Sequence, residues 1–104
     1  MAVSMGLRNK ATGEHREVTI ATLATFNEVW LPLCERLELV WVPEFAGGAL
    51  TRVPEHLIPH IVGELSTLAE MVVTTGQGWI AERISNILTA FVETSPVEWE
   101  YAFG

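Results

Sequence analysis

The sequence predicts an α+β fold: a small, mainly antiparallel sheet with about three helices packed on one face. Three observations carry this. The segment Val97-Glu98-Trp99-Glu100-Tyr101-Ala102-Phe103 places a large apolar residue at every second position, the period of a strand whose side chains alternate between two faces. Two long stretches, Ile58 to Val72 and Ile80 to Val92, repeat their apolar residues at helical spacing. A turn-forming cluster near residue 10 separates two extended runs at the N-terminus. The expected order is β-β-α-β-(β)-α-α-β, in one domain covering residues 1–104.

The N-terminal elements form a hairpin. Val3, Met5 and Leu7 alternate, Asn9-Lys10-Ala11-Thr12-Gly13 supplies turn chemistry, and Val18, Thr19 and Ile20 favour an extended return. The run Thr25-Phe26-Asn27-Glu28 has capping-box form. It opens a helix that buries Phe26, Val29, Trp30, Leu33 and Leu37 and ends near Glu38. Pro32 interrupts this pattern, so a kink or a later start is expected there. Leu39 to Phe45 reads as a strand, with Pro43 restricting its second half to an edge or a bulge. Gly47-Gly48 turns the chain, and residues 49–52 form a short extended piece. A short turn over 54–57 precedes a helix that starts near Pro59, used as a first-turn proline, and runs to about residue 73. Gly76 and Gly78 break the chain before a third helix over about 79–93. That helix turns Ile80, Ile84, Ile87, Leu88, Phe91 and Val92 inward, and Pro96 precedes the final strand, 97–103.

Apolar residues make up 49% of the chain and charged ones 18%, a composition that folds. The net charge is −7, and every acid is Glu. Residues 53–104 hold seven Glu against Arg83 alone, nearly the whole imbalance. Direct nucleic-acid binding is disfavoured, because that affinity comes from Lys and Arg displacing counterions from phosphates. A basic protein partner is favoured. No h-region of a signal peptide and no apolar run of membrane-spanning length stands out, so a cytoplasmic location without membrane contact is expected. The single Cys34 excludes an internal disulfide and falls on a core position.

Constellations with catalytic chemistry are sparse. His56, His60 and Glu64 would share one face of a continuous helix, and two imidazoles with a carboxylate form a known ligand set. Pro59 lies between the histidines and disturbs that register, so neither a metal nor another cofactor is expected. No Ser sits in a strand–turn–helix elbow, and Gly76-Gln77-Gly78 lacks the glycine pattern and the Lys of a phosphate loop. A small enzyme or ligand binder using His56, His60 and Glu64 is the alternative reading.

The carboxylates Glu64, Glu70 and Glu93 on the helices, with Glu98 and Glu100 on the last strand, are the candidate partner-binding surface. Trp41 is the candidate aromatic anchor. In size and charge the chain resembles the general format of immunity proteins, which neutralise a toxic enzyme, often a nuclease, by covering its basic site with carboxylates. The likeness is of format, not of motif, and it implies a non-catalytic inhibitor. Self-association through an edge-lying C-terminal strand would add a weak homodimer to the monomer.

Overall fold

The computed structural model describes residues 2–104. Among these, three strands form one antiparallel sheet in the order β2-β1-β3, with three helices and two 3₁₀ turns. Strand β1 (Ala2–Asn9) pairs with β2 (His15–Thr22) and, on its other side, with β3 (Trp99–Phe103). The C-terminal strand thus takes the N-terminal hairpin as its neighbour. Asn9 organises the hairpin turn: its side-chain oxygen accepts from the N–H groups of Ala11 and Thr12 at 2.9 and 3.0 Å. Gly13 follows with φ of 74°, a conformation that costs glycine little. The β1–β2 register slips between Val3 and Ser4. This bulge lets the consecutive residues Ile20 and Ala21 both enter the core, where a regular strand would bury only one.

Helix α1 occupies residues 23–36, with a π-helical turn over Phe26–Trp30 between two α-helical ends. The helix begins one turn earlier than the sequence suggested. Its N-cap is Thr22, whose hydroxyl oxygen accepts from the Thr25 N–H at 3.1 Å, so Thr25 and Glu28 do not form the capping box. The π turn ends at Trp30, two residues before Pro32, whose missing N–H and ring bulk disfavour a regular bond to the previous turn. The N–H of Leu31 donates instead to the Phe26 carbonyl. The expected disturbance at Pro32 therefore takes the form of a widened turn. The helix closes in a Schellman motif: Glu38 donates to the Glu35 carbonyl at 3.1 Å and Leu39 to that of Cys34 at 2.9 Å. Glu38 occupies the left-handed position, at φ 55°, that glycine usually fills.

Residues 39–45 are not a strand. The chain loops through 39–41 and enters a 3₁₀ turn at Val42–Ala46. The cause lies on another element. The carboxylate of Glu64 accepts the N–H groups of Val40, Trp41 and Val42 at 3.0, 2.9 and 3.0 Å. Three successive amides turned toward one anion form a nest, which a strand cannot do because its amides alternate in direction. The following segment does reach the sheet. Phe103 donates to the Leu50 carbonyl at 2.8 Å, and Val53 donates to that of Tyr101 at 2.9 Å, so residues 50–53 cover the outer side of β3.

A 3₁₀ turn at Glu55–Leu57 leads into α2 (Ile58–Thr74), with Pro59 in its first turn. By length and composition alone, Glu55–Thr74 would suffice to cross a membrane, at a mean hydropathy of 1.2, a feature the sequence reading missed. Its Ile61, Leu65, Leu68 and Val72 are buried in the core. Gly76, at φ 78°, ends α2, and α3 (Gly78–Glu93) returns beside it. The core joins Val3, Met5 and Leu7 of β1 and Tyr101 and Phe103 of β3 to Phe26 and Trp30 of α1 and Phe45 of the 3₁₀ turn at Val42–Ala46. The rings of Phe45 and Phe103 stack at 3.9 Å. Thr94 donates to the Ala90 carbonyl at 2.6 Å. Its single proton is thereby used, so the 2.7 Å bond between Thr94 and Tyr101 has the phenol as donor. That pair fixes the end of α3 to β3. Val92, expected inside, stands 86% exposed, and Trp79 and Val97, apolar residues at the start of α3 and just before β3, stand 46% and 77% exposed.

Candidate functional site

Charge is unevenly spread over the molecule. The strands with their hairpin and the approach to β3 carry Glu14, Glu17, Glu98 and Glu100 against Arg8, Lys10 and Arg16. Arg52 joins this group by reaching Glu100 at 3.6 Å. By the same measure Glu93 of α3, 3.4 Å from Arg16, also belongs here, so five acids stand with four bases and the sheet side is close to neutral. The helices and their connections carry the other eight Glu against Arg36 and Arg83. With Glu93 counted beside Arg16, the helical part holds six of the seven surplus negative charges.

Residues placed on the candidate surface by the sequence have unequal surroundings. Glu64 spends both carboxylate oxygens on the amides of residues 40–42. Glu100 lies between Arg8 at 3.0 Å and Arg52 at 3.6 Å. Glu93 reaches Arg16 at 3.4 Å, and that guanidinium lies 6.0 Å from the centre of the Trp99 ring. Glu70 and Glu98 are exposed, and among the described residues no cation lies within ion-pair distance of either. Trp41 is half-buried against the core. Strand and helix carboxylates thus do not merge into one patch. Glu100 of β3 and Glu98, which lies in the turn before β3 and not on the strand as expected, belong to the nearly neutral sheet side, and Glu70 remains on the acidic helices.

A concave feature lies on those helices. Ala69 of α2 and Ala81, Ile84, Ser85, Leu88 and Val92 of α3 line an apolar groove of about 300 Å³. Small side chains at 69, 81 and 85 open it, and Leu88 and Val92 form a wall. Glu70 adjoins Ala69 in sequence, and Glu82 precedes Ser85 by one turn, so both carboxylates stand on the helices that frame the groove. An apolar centre with a charged rim is the common anatomy of a protein-binding surface. Sequence reasoning missed Glu82, Ala81 and Val92. The Ala81–Ser85 spacing of one helical turn was an available signal, but an inward-facing stripe absorbed Val92.

The other concavities offer different chemistry. The open face of the sheet has a shallow trough of about 450 Å³ over Gly6 and Ala102, flanked by His15 and Thr51. It exists because the outward positions of β1 and β3 carry small residues there. A tighter cavity of about 150 Å³ near Lys10, Arg52 and Glu100 is mainly polar. The trough also carries Ser4 and Glu17 in its lining.

His56 sits on the 3₁₀ turn and His60 in the first turn of α2, both exposed, while Glu64 turns to the amides. Among the described residues no cluster of three or more His, Cys, Asp or Glu could hold a metal. Cys34 is buried, and its thiol is pushed up to about 12, first by burial and then by the charges of Glu64 and Glu35. It stays protonated at neutral pH and is a core side chain rather than a nucleophile. Gly76-Gln77-Gly78 closes α2: the Gln77 N–H donates to the Val72 carbonyl at 3.0 Å.

No family model matches this chain, and comparison with curated proteins and with solved structures finds no match either.

Proposed function

We propose that this chain is a non-catalytic, cytoplasmic protein-binding module whose acidic helical face docks on a basic protein. In its most specific form it is an immunity-type inhibitor that covers the cationic surface of a toxic enzyme such as a nuclease. The observation that carries this reading is the separation of charge: a nearly neutral sheet backs helices that hold six of the seven surplus negative charges. Such a dipolar surface orients a cationic partner and speeds encounter, with an effect that salt weakens. The groove between α2 and α3 supplies what charge alone lacks, an apolar slot for an anchoring side chain to be desolvated. Glu70 and Glu82 beside it would meet Lys or Arg at the partner's rim.

The test is co-purification with a candidate toxin encoded next to this chain, at low and at high salt. A complex that weakens steeply with salt and that Leu88→Glu disrupts supports the reading. A complex indifferent to both counts against it.

A further inference from the structure

The sheet has one closed edge and one open edge. Residues 50–53 cover the outer side of β3 through the bonds at Leu50 and Val53, so the C-terminal strand is not the free edge anticipated from sequence. Strand β2 is that edge. Asn9 donates to the Glu14 carbonyl at 2.8 Å, which fixes the alternation: the amides of 14, 16 and 18 point to β1, and those of 15, 17 and 19 point outward. Among the described residues none of these three outward positions has a backbone partner. Natural edges are usually blunted by charged side chains, Lys above all, by Pro, by bulges or by shortness, and the charges here are Arg16 and Glu17. β2 has eight residues, no Lys and no Pro, and its one bulge lies beyond Thr19.

We infer that two copies of this chain associate by antiparallel pairing of β2 with β2, centred on Val18. The charges of the strand select this centre. Pairing about Arg16 sets two guanidiniums against each other, and pairing about Glu17 sets two carboxylates face to face, each unfavourable. Pairing about Thr19 runs into the bulge at Ile20 and Ala21. Of the centres from 16 to 19, Val18 alone avoids all three conflicts, and a centre at His15 would leave the C-terminal half of the strand unpaired. The Val18 centre sets Glu17 of one copy opposite Thr19 of the other, and the two pairs exchange backbone bonds on both sides. Val18, half-buried at the rim of the core, meets its own copy on the helix side. The pairing is short because the bulge ends it, so the dimer is weak. This inference is independent of the partner proposed for the helical face.

Sedimentation velocity of the full chain from micromolar to millimolar concentration tests it, together with amide exchange at 17 and 19. The average mass should rise toward that of two chains, and both amides should gain protection as concentration rises. Thr19→Lys places an ammonium opposite Glu17 of the other copy and should tighten the dimer by about two- to tenfold. Thr19→Pro removes an outward N–H and should leave a monomer. The wild-type exchange data do not depend on how either variant folds. A single-chain mass and unprotected amides at every concentration overturn the inference. So does a dimer whose affinity ignores Thr19→Lys.

Discussion

Replacing Glu64 by alanine removes the acceptor of three backbone amides at once. The Val40 amide is exposed and water replaces its partner at little cost, whereas those of Trp41 and Val42 are part-buried. A hydrogen bond to a charged group contributes about 1.5–3 kcal/mol, and a buried donor left unpaired costs about 1–3 kcal/mol. Partial access of water puts the two part-buried amides toward the lower end of each range. Glu64→Ala should therefore destabilise the fold by about 2–4 kcal/mol. Glu64→Gln keeps one carbonyl oxygen near the amides and should lose about half as much. Glu70→Ala, on the same helix but exposed and unpaired, is the control and should stay within about 0.5 kcal/mol of wild type. Urea unfolding followed by circular dichroism measures all three, and an unchanged m-value shows that the midpoint shift is a stability change. If Glu64→Ala unfolds within 0.5 kcal/mol of Glu70→Ala, to the same approximate precision, the amide nest does not hold residues 40–42 and the account of that segment is wrong.

Three further outcomes follow from other parts of the structure. The Cys34 thiol is about 12 in the fold against 9.0 as its ordinary value. Above pH 9 the unfolded thiol loses its proton while the folded one keeps it, so its contribution is complete below 9 and fades as pH rises; the stability difference between wild type and Cys34→Ala should shrink by about 1 kcal/mol in the first unit above 9. A difference that is flat across that range contradicts the burial of the thiol. Thr94→Val leaves the Tyr101 hydroxyl buried without its acceptor and should cost about 1–3 kcal/mol, more than Tyr101→Phe, which leaves Thr94 bonded to Ala90; the reverse order in urea melts would refute the assigned donor direction. Glu38→Gly should stabilise by about 0.5–1 kcal/mol, because glycine takes the left-handed position without strain, and a lowered melting temperature would speak against the Schellman closure.

Much of the fold was legible because local signals agreed with tertiary demands. Pro59 marks the first turn of α2, Gly76 its end, and Asn9 to Gly13 the hairpin turn, each from its own backbone chemistry. The strand expected at 39–45 failed for the opposite reason. Its β-branched and aromatic residues favour extension, but Glu64, more than twenty residues away, collects their amides. Nothing within residues 39–45 announces that. The helix start was ambiguous because Thr22 and Thr25 both present a hydroxyl one turn ahead of a plausible helix, and only the bond from the Thr25 amide separates them. Trp79 and Val92 lie at the borders of apolar stripes, where a wheel of the helix cannot say how far the neighbouring layer reaches. The acidic surface was partly readable. Dividing the chain at residue 52 placed the surplus in the C-terminal half, whereas folding divides it by layer, returning Glu98 and Glu100 to the nearly neutral sheet and adding Glu28, Glu35 and Glu38 to the helices.

The claim at the centre of this account is that the helical face, not the sheet, meets a cationic partner. Charge reversal on each face measures this directly. Glu70→Lys with Glu82→Lys alters the rim of the groove, and Glu17→Lys alters the sheet by one comparable exposed site. Each variant, with wild type, is used to capture binding proteins from the cell of origin at low and at high salt. The account predicts a salt-sensitive basic protein that wild type and Glu17→Lys retain and that the double variant loses. A captured protein that survives high salt and reversal of the helical face, but is lost with Glu17→Lys, would contradict it.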